Sequence, residues 1–380
     1  AGVPVVVLEK HADFFRDFRG DTIHPSTLQL MHELGVLDEF LKRPHQEMQQ
    51  VGGQIGGQHF PIADFSHLPT ACKFIVFMPQ WDFLDFIAQK ARRYATFDLR
   101  MGADATALIE ADGRIAGVRA TSADGPLDIR ADLVVGADGR HSTIRAAAGF
   151  APINIGAPID VLWLRVTRRA DDPHNALGNV DRGRVLITID RGAYWQCAYV
   201  IPKGSFDTVR ARGLDAFRAD LVAIAPFLRD RVGEIRDWDD VKLLTVAVDR
   251  LPRWYRPGLL CIGDAAHAMS PVGGVGVNLA LQDAVATANL LAEPLRRKRV
   301  SPDDLAAVQR RREWPTRLTQ ALQVLVQNKV LSPVLFGSGA PIAPPRALKL
   351  FSRFPVLRRI PARIVGMGFR PEHVRTPEIG

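Results

Sequence analysis

The chain has 380 residues, of which 24% are charged and 47% hydrophobic, with a mean hydropathy of −0.01 and a formal net charge of +8. That length supports a sizeable core and two interwoven domains, and the lack of any run of about 18 uninterrupted apolar residues argues against a membrane-spanning protein. Cys72, Cys197 and Cys261 stand far apart and odd in number, so a zinc ribbon or dithiol motif has no support and a reducing, cytoplasmic setting is expected; no H-E-x-x-H, G-x-S-x-G or Walker A pattern anchors a hydrolase or triphosphatase reading.

Pro4 to Leu8 reads as a parallel-type apolar strand, closed by Glu9. In a dinucleotide-binding unit the acidic residue at that place bonds the adenosine ribose, about 20 residues after a G-x-G-x-x-G turn. Nothing precedes Ala1, so the chain reads as lacking that strand and turn, and the remaining sheet is expected to expose edges and apolar surface. Arg19 precedes a helix expected to be capped by Ser26 and to continue through Leu37, and Gln80 opens a second amphipathic helix. Asp98 to Ala131 alternates short strands with Ala-Asp-Gly turns, the pattern of a β-meander. Leu133 to Val135 then reads as a strand running into Gly136 and Asp138-Gly139, with Ser142 as the N-cap of a following helix.

Residues 156–202 are richer in aromatic and β-branched side chains, and Val161–Val166, Val185–Ile189 and Tyr194–Ile201 read as strands of a mixed sheet, joined by Gln54–Phe60 and Lys73–Met78. Trp163, Tyr194, Trp195 and Tyr199 are candidates for the wall of a substrate pocket, though alternation alone does not say which face they take. Leu259 to Ile262 is a short apolar run bounded by glycines, as in a strand buried on both faces. It delivers Gly263 and Asp264 at its carboxyl end, before a turn with Pro271, Gly273, Gly274 and Gly276. Leu279, Leu281, Val285, Leu290 and Leu291 follow at helical spacing, so the free N–H groups of Gly276, Val277 and Asn278 point back toward the turn and favour negative charge there. Pro302 to Val330 reads as a helix that Pro315 should kink.

The order Gly-Asp-Ala-Ala-His, Pro271, Gly-x-Gly-x-Asn resembles the second FAD-contacting motif of the para-hydroxybenzoate hydroxylase-like flavoprotein monooxygenases. The resemblance implies a Rossmann-like α/β FAD-binding domain with a parallel sheet and an inserted β-meander (1–50, 79–155 and 251–335), and a mixed-sheet substrate domain (51–78 and 156–250). The basic segment 336–380 follows them. It implies that Asp264 meets the ribityl chain, that Pro271, Gly274 and Gly276 position the flavin ring, and that Asp138 and Gly139, with Ser142 and Arg145, lie beside the pyrophosphate. It likewise implies FAD contacts for Glu9, Arg19 and Gln80. His267 reads as a packing or hydrogen-bonding residue instead of a base.

The activity implied is NAD(P)H-dependent oxygen insertion into an aromatic or other electron-rich small molecule through a flavin C4a-hydroperoxide, with dioxygen as co-substrate. A non-oxygenating FAD-dependent reductase, or an inactive fragment unable to retain FAD, are the alternatives. No W-x-W pair supports a halogenase. From Arg346 to Arg370 there are seven basic residues and no acidic one. The expectation is a C-terminal cover with a solvated basic face and no nucleic-acid partner, with peripheral contact to an anionic membrane through 346–370 as the alternative.

Overall fold

A computed structural model describes residues 1–15, 22–173, 178–337 and 344–377. The strand Leu259–Cys261, buried at every position, pairs in parallel with Val134–Gly136, Val134 opposite Leu259 and Gly136 opposite Cys261. Val5–Glu9 pairs in parallel with Phe97–Met101. Next to them Asp104–Ala111, Arg114–Ser122 and Gly125–Arg130 form the antiparallel meander the Asp-Gly turns announced. The helices Gly276–Arg296 and Pro302–Val326 cover this layer, with Leu291, Leu305 and Val308 packed on Leu260, Cys261 and Ile262. Val5, Val6, Val7 and Val135 are exposed at the parallel edges and line a large cleft.

A second, seven-stranded sheet runs in the order Lys242–Leu244, Ile159–Thr167, Tyr194–Pro202, Arg184–Asp190, Gly178–Asp181, Gln50–Ile55, Gln58–Asp64. All its pairings are antiparallel except Gly178–Asp181 with Gln50–Ile55. Period-two alternation gives it two apolar faces. On one, Leu162, Leu164, Leu186 and Cys197 pack against Phe217, Leu221 and Leu228. On the other, Val161, Val185, Ala198 and Val200 turn to the cleft.

Several sequence expectations need correction. Ile75–Phe77, expected in this sheet, pairs instead with Thr22–Ile23 and Gln46–Met48, because Val76 and Met78 bury against Leu28 and Met31 of the first helix. That helix is Pro25–Glu33, with His24 at the N-cap. Ser26 lies inside its first turn, since Pro25 takes the N1 place where no N–H is needed. It ends well before Leu37 because Gly35 adopts φ +67°. Trp195 and Tyr199 belong to the helix-facing cluster: Trp195 donates Nε1–H to Asp172 at 2.7 Å, and Tyr199 stands edge-on to Phe217. They do not line the cleft, and Tyr194, under the Arg165 guanidinium at the sheet end, does not either. Only Trp163 of the four aromatic candidates does.

The segment Val272–Arg296 is long and apolar enough, by composition, to cross a membrane. It carries buried polar groups held by the rest of the protein: Gln282 and Asp283 are buried on it, and Asp283 is hydrogen-bonded to His267 and ion-paired to Arg312.

Candidate active site

The parallel pairing of Val134–Gly136 with Leu259–Cys261 brings two loops together at the carboxyl ends of these strands, which is where open α/β sheets bind ligands. The Ile262 N–H donates to the Gly136 carbonyl at 2.9 Å, so the register holds to the point where both strands end. Beyond it lie Asp138-Gly139 on one loop and Gly263-Asp264 on the other, all four lining the cleft.

The Asp138 loop is fixed by its own side chains. Asp138 accepts hydrogen bonds from the Ser142 hydroxyl and, at 3.0 Å, from the Ile144 N–H. Ser142 caps the short helix Thr143–Ala147 by accepting from the Arg145 N–H at 2.9 Å. Arg145 reaches across to donate to the Ala265 carbonyl at 3.3 Å. One loop is thereby tied to the other.

The Asp264 loop rests on a buried charge that sequence reasoning missed. Asp283, fully buried, accepts from the Gly263 N–H at 3.1 Å and from His267 Nε2–H at 2.6 Å on one oxygen. Its other oxygen accepts from Arg312 Nε–H at 2.9 Å. Arg312 donates to Glu372 at 3.2 Å, and Arg311 holds the same carboxylate with two bonds of 2.7 and 2.9 Å. Burial pushes the Asp283 carboxyl up, but the charges and hydrogen bonds of His267 and Arg312 outweigh it and hold it below the ordinary carboxylate range. His267, its ring tilted at 44° against Trp254, is thus a hydrogen-bonding residue, as expected.

The glycine turn is pinned by Asn278. Its side chain accepts from the His24 N–H and the Thr27 hydroxyl, both at 2.8 Å, and donates to the carbonyls of Thr22 at 3.0 Å and Gly274 at 3.2 Å. With its amide saturated, the Asn278 side chain staples the segment 22–27 to the turn, and what Asn278 offers a ligand is its backbone N–H at the helix start. Gly274 takes φ +62°, and a Cβ there would stand 2.3 Å from the Thr22 hydroxyl. Gly276 opens the long helix with no side-chain cap, so the first N–H groups face the cleft alongside Pro271, Gly274 and Val277.

Glu9 and Gln80 also line the cleft; Glu9 accepts from the His11 N–H at 3.0 Å. Arg19 lies outside the described residues. A second buried group escaped the sequence: His24 donates Nδ1–H to the Val365 carbonyl at 2.8 Å, and burial lowers its pKa to about 4. The one signal for it was a histidine directly before Pro25 at a helix start.

The cleft encloses about 3460 Å³, several times the ~300–1,000 Å³ of a single small-molecule pocket. One wall holds the two loops and the helix start; another is the apolar sheet face with Trp163, Ile187 and Val200. A flat, anionic-edged ring with a hydroxylated tail fits this set. The uncapped helix start supplies donors, the turn Pro271, Gly273, Gly274 and Gly276 lines the cleft with little side chain, and Asp264 supplies an acceptor.

Known proteins agree with that fit. A family model described as "FAD binding domain" matches residues 1–321. The chain is 32% identical to 6-methylpretetramide 4-monooxygenase of Streptomyces rimosus, over 96% of this chain and 87% of that protein. It is 27% identical to a rifampicin monooxygenase of Rhodococcus hoagii, over 74% of this chain and 57% of the relative. Among solved structures, anhydrotetracycline hydroxylase OxyS of Streptomyces rimosus superposes with a TM-score of 0.75 at 22% identity, covering 96% of this chain and 71% of that one, which speaks for the fold alone. The two loops, the glycine-opened helix and these relatives together establish that the chain belongs to the FAD-dependent monooxygenase family.

Proposed function

We propose that this chain is an NAD(P)H-dependent FAD monooxygenase that inserts one oxygen atom of dioxygen into an aromatic or other electron-rich small molecule. The observation that carries the reading is the meeting, in one cleft, of the Asp264 and glycine-turn loops with an apolar sheet face bearing Trp163. When bound, FAD supplies the redox chemistry, taking electrons from the nicotinamide and activating dioxygen. The protein's part is to bind, orient and exclude water. The N–H groups opening the helix Gly276–Arg296 would stabilise negative charge on the flavin edge, and Asp264 would accept from its hydroxylated tail. Asp138 and Gly139 would lie beside the pyrophosphate, and Glu9 and Gln80, which line the same cleft, would complete the cofactor's surroundings.

Opposite them, Val161, Trp163, Ile187 and Val200 present an apolar surface to a planar substrate and keep water from the reacting atoms. The 6-methylpretetramide and rifampicin named for the two relatives are both in keeping with an aromatic substrate. The test is to load the purified protein with FAD and follow NADH and NADPH oxidation with and without a panel of phenolic and polycyclic aromatic compounds under labelled dioxygen. Substrate-stimulated oxidation with label in the product supports the reading. Flavin reduction with no label transferred under any substrate would favour a non-oxygenating reductase instead.

A further inference from the structure

The C-terminal segment borders the cleft and carries exposed apolar and cationic side chains to which the cofactor loops assign no part. The helix Arg359–Met367 is seated on the protein by Ala362, Gly366 and Met367, which bury against Phe65 and Leu68. The helix Arg346–Arg353 and the turn Pro355–Arg358 lie against the strand Gln58–Asp64, with Leu348, Phe351, Leu357 and Arg358 half-buried and their other described side chains exposed. There Leu350, Phe354, Val356 and Ile360 are 46, 46, 57 and 58% exposed. Single exposed apolar residues are ordinary on soluble proteins, but four large ones within residues 350–360 are a concentration that calls for a partner.

The charge of the same stretch says which partner. Arg346, Lys349, Arg353, Arg358, Arg359 and Arg363 accompany the patch, and residues 346–370 contain no acidic side chain. Among the described residues none of these six cations is ion-paired to a carboxylate: Arg358 donates to the Phe351 carbonyl at 2.8 Å, and Arg359 to the His67 ring at 3.1 Å. Arg359 also acts on the Asp64 carboxylate, but cations without a carboxylate ion pair around exposed apolar side chains suit a surface that offers both negative charge and a hydrocarbon layer. A bilayer with anionic headgroups does so. A nucleic acid offers the charge without the hydrocarbon.

We propose that residues 346–363 dock this protein on an anionic lipid surface, with Leu350, Phe354, Val356 and Ile360 entering the headgroup region and the surrounding cations meeting the lipid phosphates. The same segment borders the cleft, since Phe351, Ile360, Pro361 and Ile364 line it. Docking therefore sets the cleft rim against the membrane, and an apolar substrate would pass between them without crossing bulk water. That entry route rests on the proposed function; the docking does not.

The test is flotation of the full-length, FAD-loaded protein with vesicles of phosphatidylcholine alone or with about 30% phosphatidylserine, at ~0.1 M and ~0.5 M salt. Binding is expected to the anionic vesicles only and to fall at least about ten-fold in high salt, where screening removes the cationic contribution. The variant Lys349→Glu/Arg353→Glu should lose binding by a similar factor with an unchanged melting temperature. A second variant, Val356→Ser/Ile360→Ser, should bind more weakly while keeping the salt dependence. Equal binding to neutral and anionic vesicles, no binding to either, or wild-type binding by the charge-reversed variant would overturn the proposal. So would a dimer broken by the same substitutions in the absence of vesicle binding, which would assign the patch to a second copy of the chain. None of these readouts depends on turnover, so failure here is separable from failure of the monooxygenase reading.

Discussion

Replacing Asp283 with asparagine tests whether the buried ion network organises the cofactor loop. The side chain is fully buried and both oxygens are committed: one to Gly263 N–H and His267 Nε2–H, the other to Arg312 Nε–H. Asparagine keeps the volume but offers one acceptor oxygen in place of two. In either flip its NH2 group faces a donor, Arg312 in one orientation and Gly263 with His267 in the other. Breaking a buried pair by neutralising one member costs about 3–5 kcal/mol. Glu372 still pairs with Arg312 at 3.2 Å, so the low end applies, about 3 kcal/mol. Unfolding entropy of roughly 2.1 cal/mol/K per residue over 380 residues gives ~0.8 kcal/mol/K, and hence a fall in Tm of about 4 °C.

The functional consequence is local. Gly263 sits at φ +56°, one residue before Asp264, and its N–H loses its acceptor whenever the asparagine flips toward Arg312. FAD affinity is expected to fall roughly ten-fold, equivalent to about 1.4 kcal/mol. Thermal melts of the apoprotein and titration by quenching of flavin fluorescence measure the two effects separately. The double replacement Asp283→Leu/Arg312→Met should be less destabilised than Asp283→Leu alone, because it leaves no buried guanidinium short of a partner. An Asp283→Asn protein that melts within about 1 °C of the parent and binds FAD equally well would refute the reasoning.

Three further outcomes are expected. Gly274→Ala puts a Cβ 2.3 Å from the Thr22 hydroxyl at φ +62°, so the variant should lose about 1–3 kcal/mol of stability and be isolated with less bound flavin, read from its visible absorbance. Trp163→Ala should raise KM for an aromatic substrate with little change in FAD binding, whereas Trp195→Phe, which removes the hydrogen bond to buried Asp172, should lower stability by roughly 1–3 kcal/mol and leave KM unchanged. His24 has a folded pKa of about 4 against an ordinary 6.5. As pH falls from 6.5 toward 4, the unfolded chain takes up a proton that the folded one refuses, so stability drops by up to roughly 3 kcal/mol. Urea melts across that window should show a shallower slope in His24→Gln.

What was legible in the sequence was the part whose physical demands are local. A glycine held at positive φ, a carboxylate at a strand end and a helix start without a side-chain cap are properties of a few consecutive residues, and 263–278 and 136–145 state them directly. The choice of sheet face was not legible, because Tyr194–Pro202 is buried on both sides over its whole middle and alternation has no polar half to contrast with. Trp163 and Trp195 therefore looked equivalent, although one faces the cleft and the other the helices. Nor was the ion network legible: Asp283, Arg312 and Glu372 meet across 29 and 60 residues of sequence, with no spacing rule to connect them.

The helix at 276–296 shows why such a network is hard to read and what it achieves. Its leucines suggested an apolar buried stripe, but Leu290 is exposed while Asn278, Gln282 and Asp283 are buried. Each of these three polar residues fixes a different chain segment: Asn278 holds 22–27, Asp283 holds the Gly263 loop, and Gln282 accepts from the Glu372 N–H. Apolar contacts alone would let these segments slide, because they are non-directional. Hydrogen bonds to a buried amide or carboxylate fix one geometry, since any slip leaves a desolvated polar group without a partner. A cleft whose walls come from residues as distant as 9, 138, 264 and 365 needs that kind of constraint, and the polar face of this helix supplies it where the cofactor loops converge.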